Sequence, residues 1–490
     1  MSIIDKLAKR FGYERKTGKR SFHAAASNRL TADWSTGSGS LDTQLRYSLE
    51  SLRERSRELI QNNPYANKFM SMLKSNVLGA GGLKLKNRAQ DPPTFRGGEW
   101  VPGLVDEYAN RLIEDAWKEW GKRQYCTVDK RLSWAEVQHL SLETCGTDGE
   151  ALVRLFPGFP NKFGFAVQLV DPDLLDTKRN EVLPNGNEVR MGVELSAQGE
   201  PVAYWMHTRN PNDRINPSAS REWERVPAIN IVHPYQMRRI TQTRGFPWLA
   251  SVMLNMQMLG GYEEAELVAS RTAASKMAFI KTRGDQQYTG ADDGTGPQME
   301  AEPGSIEQLP AGMELDVLDW RHPNTDFGGF VKSMLRSISA GVNVSYNNLA
   351  NDLEGVNFSS GRMGQMEERE HWRSLQGWFG DVFCAPIFKQ WLFSQLMSGN
   401  IPLPMSRFEK FNAPQWHGRR WAWVDPQKEV NAIEMELRNN LTSYTRVLAE
   451  RNIDRDELFA EIAADKAAME QAGLTAEDIM GAATDESDED

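Results

Sequence analysis

Asp171 and Asp173 in the run DPD have the residue types and spacing that begin a metal site, because two carboxylates one residue apart can converge on a hard cation. Aspartates around a proline also cap turns, and turn capping is the favoured reading here. Asp148 and Glu150 in DGE sit where a hairpin between strands needs a turn, so the same reading applies to them. GAGGLK at 79–84 lacks the spacing of a phosphate-cradling loop, and no GxGxxG follows an expected strand. There is no GxSxG elbow, no HExxH and no EF-hand loop. The seven histidines lie far apart in sequence and read as structural residues. Cys126, Cys145 and Cys384 are too few and too scattered for a disulfide framework, and no CxxC pair points to zinc. No catalytic residue, cofactor or metal is expected. A long, mostly helical chain of this kind reads as architectural.

The elements that hold these residues follow from periodicity and punctuation. Apolar residues make up 40% of the 490, which excludes wholesale disorder and leaves room for large cores. No apolar run is long enough for a membrane span or a secretory signal, so a soluble protein made in a reducing cytosol is expected. Residues 1–45 hold eight Lys/Arg, four Asp/Glu and the run STGSGS, and read as a flexible basic arm. Helical spacing governs 46–76, with Pro64 making Asn63 a boundary. A further helix covers about 104–122. Between 148 and 235 the pattern changes to strands: EALVRLF, FGFAVQLV, NEVRMGVEL, PVAYWMH and INIVHPY, with turns at PNGN and AQGE. A helix-flanked, mainly antiparallel α+β fold is expected.

Residues 247–276 then read as one long helix beginning at Pro247, with Gly260–Gly261 as its weak point. Strands follow at MAFIKT and ELDVLDW, and helical periodicity returns at 326–341. Asn343, Asn347, Asn348, Asn351 and Asn357 lie close together and argue for a structured loop instead of regular helix. Ser359 or Ser360 then caps a helix running to about 397, which Pro386 should kink and whose aromatic stripe includes Trp372, Phe379, Phe388 and Trp391. From Asp425 the chain is helical and acidic, ending in a disordered DESDED.

The net charge of −10 is unevenly spread. Residues 451–490 carry −10 and residues 284–326 carry −9, leaving +9 on all the rest. Acidic blocks against a basic remainder suit an object that steers large charged partners.

The order of these elements, with several stretches, resembles the portal proteins of lambda-type tailed bacteriophages. The stretches are RERSRELIQNNPYANKFM with NVLGAGG (53–82), DGEALVRL (148–155), QLVDPDLL (168–175) and MGVELSAQGEPVAYW (191–205). Further on come RVPAINIVHPYQMRR (225–239), RGFPWLASVMLNMQMLGGYEEAELVASRTAA (244–274), SAGVNVSYNNLANDLEGVNFSSGRMG (339–364) and WHGRRWAWVDPQKEVNA (416–432). The likeness spans about 45 to 435.

The resemblance implies a ring, usually of twelve subunits, at one capsid vertex, through which the terminase motor pumps double-stranded DNA and from which the genome later leaves. It implies the terminase large subunit, a head-tail adaptor, and the major capsid and scaffold proteins as partners, and the virion as location. On this chain it implies a wing at 46–246, a stem helix at 247–276, a clip at 277–325, a returning stem helix at 326–342 and a channel loop at 343–360. The kinked helix and following segment, 361–425, would return to the wing, and 426–490 would form a helical crown and acidic tail. The implied loop residues are Asn347, Asn348, Asn351, Asp352, Glu354 and Asn357, and the implied docking residues of the clip are Asp292, Asp293, Glu300 and Glu302. A channel loop with carboxylates, amides and no base suits sliding, since each phosphate neutralised by Lys or Arg adds salt-dependent affinity. Two other readings stay open: an α+β enzyme with an unrecognised site, and a capsid adaptor that forms no channel.

Overall fold

The computed structural model describes residues 39–96, 99–101, 103–211, 222–274, 278–282, 313–317, 326–355, 358–421, 426–450 and 455–471. Helix α1 (Leu41–Asn62) is capped by Ser40, whose hydroxyl accepts from the Thr43 amide. The helix thus begins inside the segment read as a flexible arm, because Leu45 and Leu49 are buried; residues 1–38 lie outside the described residues. Asn63 is extended and caps α2 (Pro64–Val77) by accepting from the amides of Tyr65 and Ala66, as Pro64 demands. Strands β1 (Lys84–Asn87), β2 (Thr94–Arg96) and β3 (Glu99–Val101) lead to α3 (Glu107–Trp120) and the short α4 (Arg123–Cys126). Helix α5 (Trp134–Asp148) opens with a capping box, Ser133 and Glu136 satisfying each other's backbone amides.

Strands β4 (Leu152–Pro157) and β5 (Phe165–Val170) pair antiparallel, with β11 (Ile231–Val232) on the other edge of β4. A second antiparallel sheet has the order β10-β9-β8-β7-β6, built from β6 (Glu181–Val182), β7 (Glu188–Arg190), β8 (Val193–Leu195), β9 (Pro201–His207) and β10 (Trp223–Pro227). The turns expected at PNGN and AQGE join β6 to β7 and β8 to β9. NEVRMGVEL is not one strand. Met191 and Gly192 both have positive φ, 47° and 85°, the combination of a two-residue hairpin, and Arg190 pairs with Val193 across it.

The helix expected from Pro247 begins six residues later, as α6 (Met253–Ala274). Residues 247–252 form turns instead, because the Trp248 amide donates to the Gly146 carbonyl of α5 and Trp248 and Leu249 are buried there. The helix continues through Gly260 and Gly261. Strands β12 (Ala278–Thr282) and β13 (Met313–Val317) pair antiparallel, and α7 (Phe327–Gly341) runs back beside α6: Ser251 reaches the Gly341 carbonyl, and Tyr262 packs on Phe327 and Phe330.

The one-turn helix α8 (Tyr346–Ala350) precedes α9 (Phe358–Phe379), a π turn (Gly380–Cys384) and α10 (Ala385–Ser398). Helix α9 starts one residue before the serines expected to cap it. The π turn answers Pro386: the Ala385 amide reaches back five residues to the Gly380 carbonyl, and the chain accommodates a proline that has no amide of its own. Helix α11 (Phe408–Phe411) and β14 (Pro414–His417), paired with β1, close the body. Helices α12 (Pro426–Arg438), α13 (Tyr444–Glu450) and α14 (Arg455–Gln471) follow, and DESDED lies outside the described residues.

The main core joins α2, α3, α5, the β4 sheet, α6, α7, α9 and α10. Its centre is aromatic. Trp117 meets Trp120, Trp134, Phe388 and Trp391 at ring distances of 4.7 to 5.4 Å, mostly edge to face. The expected α+β class is borne out as helices packed with antiparallel sheets.

Candidate functional site

The asparagine-rich segment is built by two left-handed caps. Asn343 (φ 57°) ends α7, with its amide on the Ala340 carbonyl and the Val344 amide on the Ser339 carbonyl. Asn351 (φ 56°) ends α8 in the same way, with the Asp352 amide on the Asn347 carbonyl. Asparagine enters this backbone region more readily than other residues with a side chain, which accounts for two of the five. Over 343–355 the segment is therefore a turn, one helical turn and a second turn, a structured loop that contains the short helix Tyr346–Ala350.

Glu368 of α9 fastens this segment. It is 7% exposed and accepts from the Ser345 amide (3.2 Å), the Asn348 side chain (2.7 Å) and the Trp372 indole (3.1 Å). Asp352 is equally engaged. Its carboxylate accepts from the Tyr346 hydroxyl at 2.6 Å and the Glu354 amide at 2.9 Å, and Lys332 of α7 lies 3.0 Å away. The Tyr346 hydroxyl, then the Glu354 amide and Lys332, hold the Asp352 carboxyl at about 2. Desolvation and the bonded carboxylate push the Tyr346 hydroxyl up to about 12. Lys332 and Arg336, one turn apart on α7, both lie over the Tyr346 ring, at 5.8 and 5.5 Å.

Beside this cluster a cleft of about 280 Å³ is lined by Lys68, Asn76, Asn348, Asn351, Arg369 and Trp421, among others. Its walls offer amides, the cations Lys68 and Arg369, and the Glu368 carboxylate to a polar group. The structure thus brings Asn348, Asn351 and Asp352 together with Lys332, Arg336, Tyr346 and Glu368, four residues that the asparagine content did not single out. Their signal was the i, i+4 spacing of Lys332 and Arg336 in an otherwise uncharged helix. Asn347 lies in α8 and Glu354 is exposed. Asn357 and the clip residues Asp292, Asp293, Glu300 and Glu302 fall outside the described residues.

The carboxylates of DGE and DPD are taken up by arginines and backbone amides, and DGE is not a hairpin turn. Asp148 ends α5, and Gly149 has φ 92° with the backbone of Phe246 where a side chain would stand. Glu150 is fully buried. It accepts from Arg244 Nε (2.7 Å), the Gly245 amide (2.7 Å) and His233 (3.0 Å), and pairs with Arg53. Burial opposes its charge, yet Arg244, Arg53 and His233 hold its carboxyl well below the usual carboxylate range. Burial outweighs the carboxylate at His233 and lowers its pKa, so the ring is neutral near pH 7. Asp171 caps the turn as expected, accepting from the Asp173 amide, while Arg57 takes Asp148 and Asp173 at 2.7 and 2.6 Å. Asp42 of α1 accepts from the amide and hydroxyl of Thr243. These contacts clamp residues 242–249, which feed into α6. All three cysteines are free and buried, and burial raises their thiols. Among the described residues no group of three or more His, Cys, Asp or Glu could hold a metal ion, and no helix is long and apolar enough to cross a membrane.

The chain is 32% identical to the probable portal protein of Halomonas phage phiHAP-1 over 464 residues, covering 93% of this chain and 88% of that protein. It is 22% identical to portal protein B of Escherichia phage lambda, over 90% of this chain and 88% of that one. Among solved structures, a chain from the virion of a native gene transfer agent particle is similar over 83% of this chain and 94% of its own, at a TM-score of 0.44 and 12% identity. Residues 27–376 match the family described as phage portal protein, lambda family, a span that includes both clamps, α6, α7 and the asparagine-rich segment, and the chain belongs to that family.

Proposed function

We propose that copies of this chain form a closed ring at one capsid vertex, with a channel through which the terminase motor packages double-stranded DNA and from which it is ejected, and that head-tail adaptor proteins attach to the same ring. The observation that carries the ring is a stripe on α6. Leu254, Met258, Gly261, Ala265 and Val268 recur at alternating spacings of four and three, and all are exposed. Leu254 and Met258 are 70% and 63% exposed, while Val252, Met256 and Leu259 on the other side are buried. A helix with apolar residues on both sides has one side too many for a monomer, and heptad spacing is what a neighbouring helix fills.

In this reading α6 and α7 are the stem, β12 and β13 belong to the clip, residues 46–246 with 361–425 form the wing against the capsid and scaffold proteins, and 426–490 form the crown. The segment 343–360 is the channel loop. Its amides offer exchangeable hydrogen bonds, and its Asp352 is already neutralised, so phosphates meet a surface that neither binds nor strongly repels them. The acidic clip, with Asp292, Asp293, Glu300 and Glu302, suits a basic face of motor or adaptor. Negative-stain microscopy and mass photometry of the purified chain test the ring: annular particles with a central hole are expected, and a homogeneous single copy at every concentration would refute it.

A further inference from the structure

We infer that Asp352 is an internal stand-in for a DNA phosphate: it occupies Lys332, one of the two cations of α7, and in doing so keeps the loop from holding the duplex. The inference rests on the channel reading above and goes further, because it assigns opposite roles to two residues within that loop and helix.

Helix α7 is not neutral. Its charged residues are Lys332 and Arg336, both basic, one turn apart and therefore on one side of the helix. Left alone, such a pair is a phosphate site, since ammonium and guanidinium groups one turn apart can each take an anionic oxygen of a nucleic-acid backbone. In the structure that position is filled from within the chain. Asp352 Oδ2 lies 3.0 Å from Lys332 Nζ, and the Tyr346 ring to which Asp352 is hydrogen-bonded lies under both Lys332 and Arg336.

The carboxylate is held there by more than the lysine. The Tyr346 hydroxyl and the Glu354 amide orient its two oxygens, the Asn351 cap sets the backbone that delivers it, and Glu368 pins α8 from the other side through Asn348 and the Ser345 amide. Three groups, the Tyr346 hydroxyl, the Glu354 amide and Lys332, thus meet one carboxylate that is only partly buried. An exposed ion pair alone contributes little to stability. Charge masking accounts for the arrangement: a carboxylate covalently tethered beside the lysine competes with passing phosphates at high effective concentration.

The test is duplex binding measured against salt. Full-length wild type, Asp352→Asn, Lys332→Gln and the double variant are titrated with a short blunt DNA duplex by fluorescence anisotropy. Asparagine removes the charge and keeps an oxygen to accept from the Glu354 amide, while its NH2, standing where Oδ2 was, can donate to the Tyr346 hydroxyl. Asp352→Asn is expected to bind more tightly, with a log–log salt slope steeper by about 0.9 for each phosphate newly contacted, so the gain shrinks about 3.5-fold per contact when salt is raised about four-fold. Lys332→Gln alone should bind like wild type, because its charge is already taken, and adding it to Asp352→Asn should cancel the gain. Equal affinity and slope for Asp352→Asn and wild type would overturn the inference, as would a gain that survives in the double variant or a loss from Lys332→Gln alone. Because the pair lies within one chain, these comparisons stand whether or not the copies assemble. Annular particles in negative stain, scored on the same samples, report on the ring separately.

Discussion

The guanidinium of Arg244 and the carboxylate of Glu150, 94 residues apart and both fully buried, meet at 2.7 Å. This pair ties the segment entering α6 to the start of β4, so the position of the expected stem helix depends on a charge contact in the core. Arg244→Ala would leave the buried Glu150 carboxylate short of a charged partner. The expected cost is about 3–5 kcal/mol, read by urea unfolding; a loss below about 1 kcal/mol would show that the clamp is dispensable.

His233 makes the same cluster pH-sensitive. Its folded pKa lies below the unfolded value of about 6.5, chiefly because burial disfavours the imidazolium. The unfolded chain therefore takes up a proton that the folded chain refuses, and stability falls as pH drops below about 6.5. The Glu150 carboxyl, also depressed, adds a second loss that begins as pH falls below its unfolded value of about 4.3. His233→Gln should flatten the decline between pH 7 and 5 and leave the more acidic one, as measured by urea midpoints across that range. An unchanged slope would contradict the assignment.

Glu368→Ala removes the acceptor of three donors, the Ser345 amide, Asn348 and Trp372. A cost of about 1–3 kcal/mol is expected. Hydrogen exchange should quicken in residues 343–352 well before it does in the aromatic core, and protection that stays at wild-type levels in that segment would count against its role as anchor.

Met258→Glu places a charge in the middle of the exposed α6 stripe. Assembly should fall at least ten-fold in apparent affinity by mass photometry, about 1.4 kcal/mol or more, with thermal stability of the single copy little changed. Intact assemblies at wild-type concentrations would remove the stripe from the interface.

Replacing Asp352 and Glu354 together by lysine would turn a masked loop into a cationic one. Packaging in a single-motor assay should slow or stall, and more so at low salt. Wild-type velocity would refute the sliding role of the segment.

What could be read from the residues alone was mostly local. Asn63 before Pro64, the PNGN and AQGE turns, and the capping of DPD by Asp171 each follow from neighbours a few positions away, and each is found in the structure. Glu150 was misread because its partners, Arg53, His233 and Arg244, come from 83 to 97 residues away. No spacing rule reports such a meeting. NEVRMGVEL was misread as one strand because Met191 takes a left-handed backbone that a residue with a side chain seldom adopts; Arg244, donating to the Met191 carbonyl, secures it from outside the hairpin. Helix α6 began late for a related reason, the claim of α5 on the Trp248 amide. In the candidate site the asparagines announced themselves by composition and the Lys332–Arg336 pair had a signal in its i, i+4 spacing, whereas Tyr346 and Glu368 entered only through three-dimensional proximity.

The π turn between α9 and α10 inserts one residue into an otherwise continuous rod. One residue corresponds to about 100° of rotation, so the two halves of the rod address different azimuths: Glu368 and Trp372 look toward the asparagine segment, Phe388 and Trp391 toward the tryptophan nest around Trp117. Deleting a single residue such as Asp381 would spare every side chain in both halves, yet it would leave them out of phase, able to satisfy one destination only by abandoning the other.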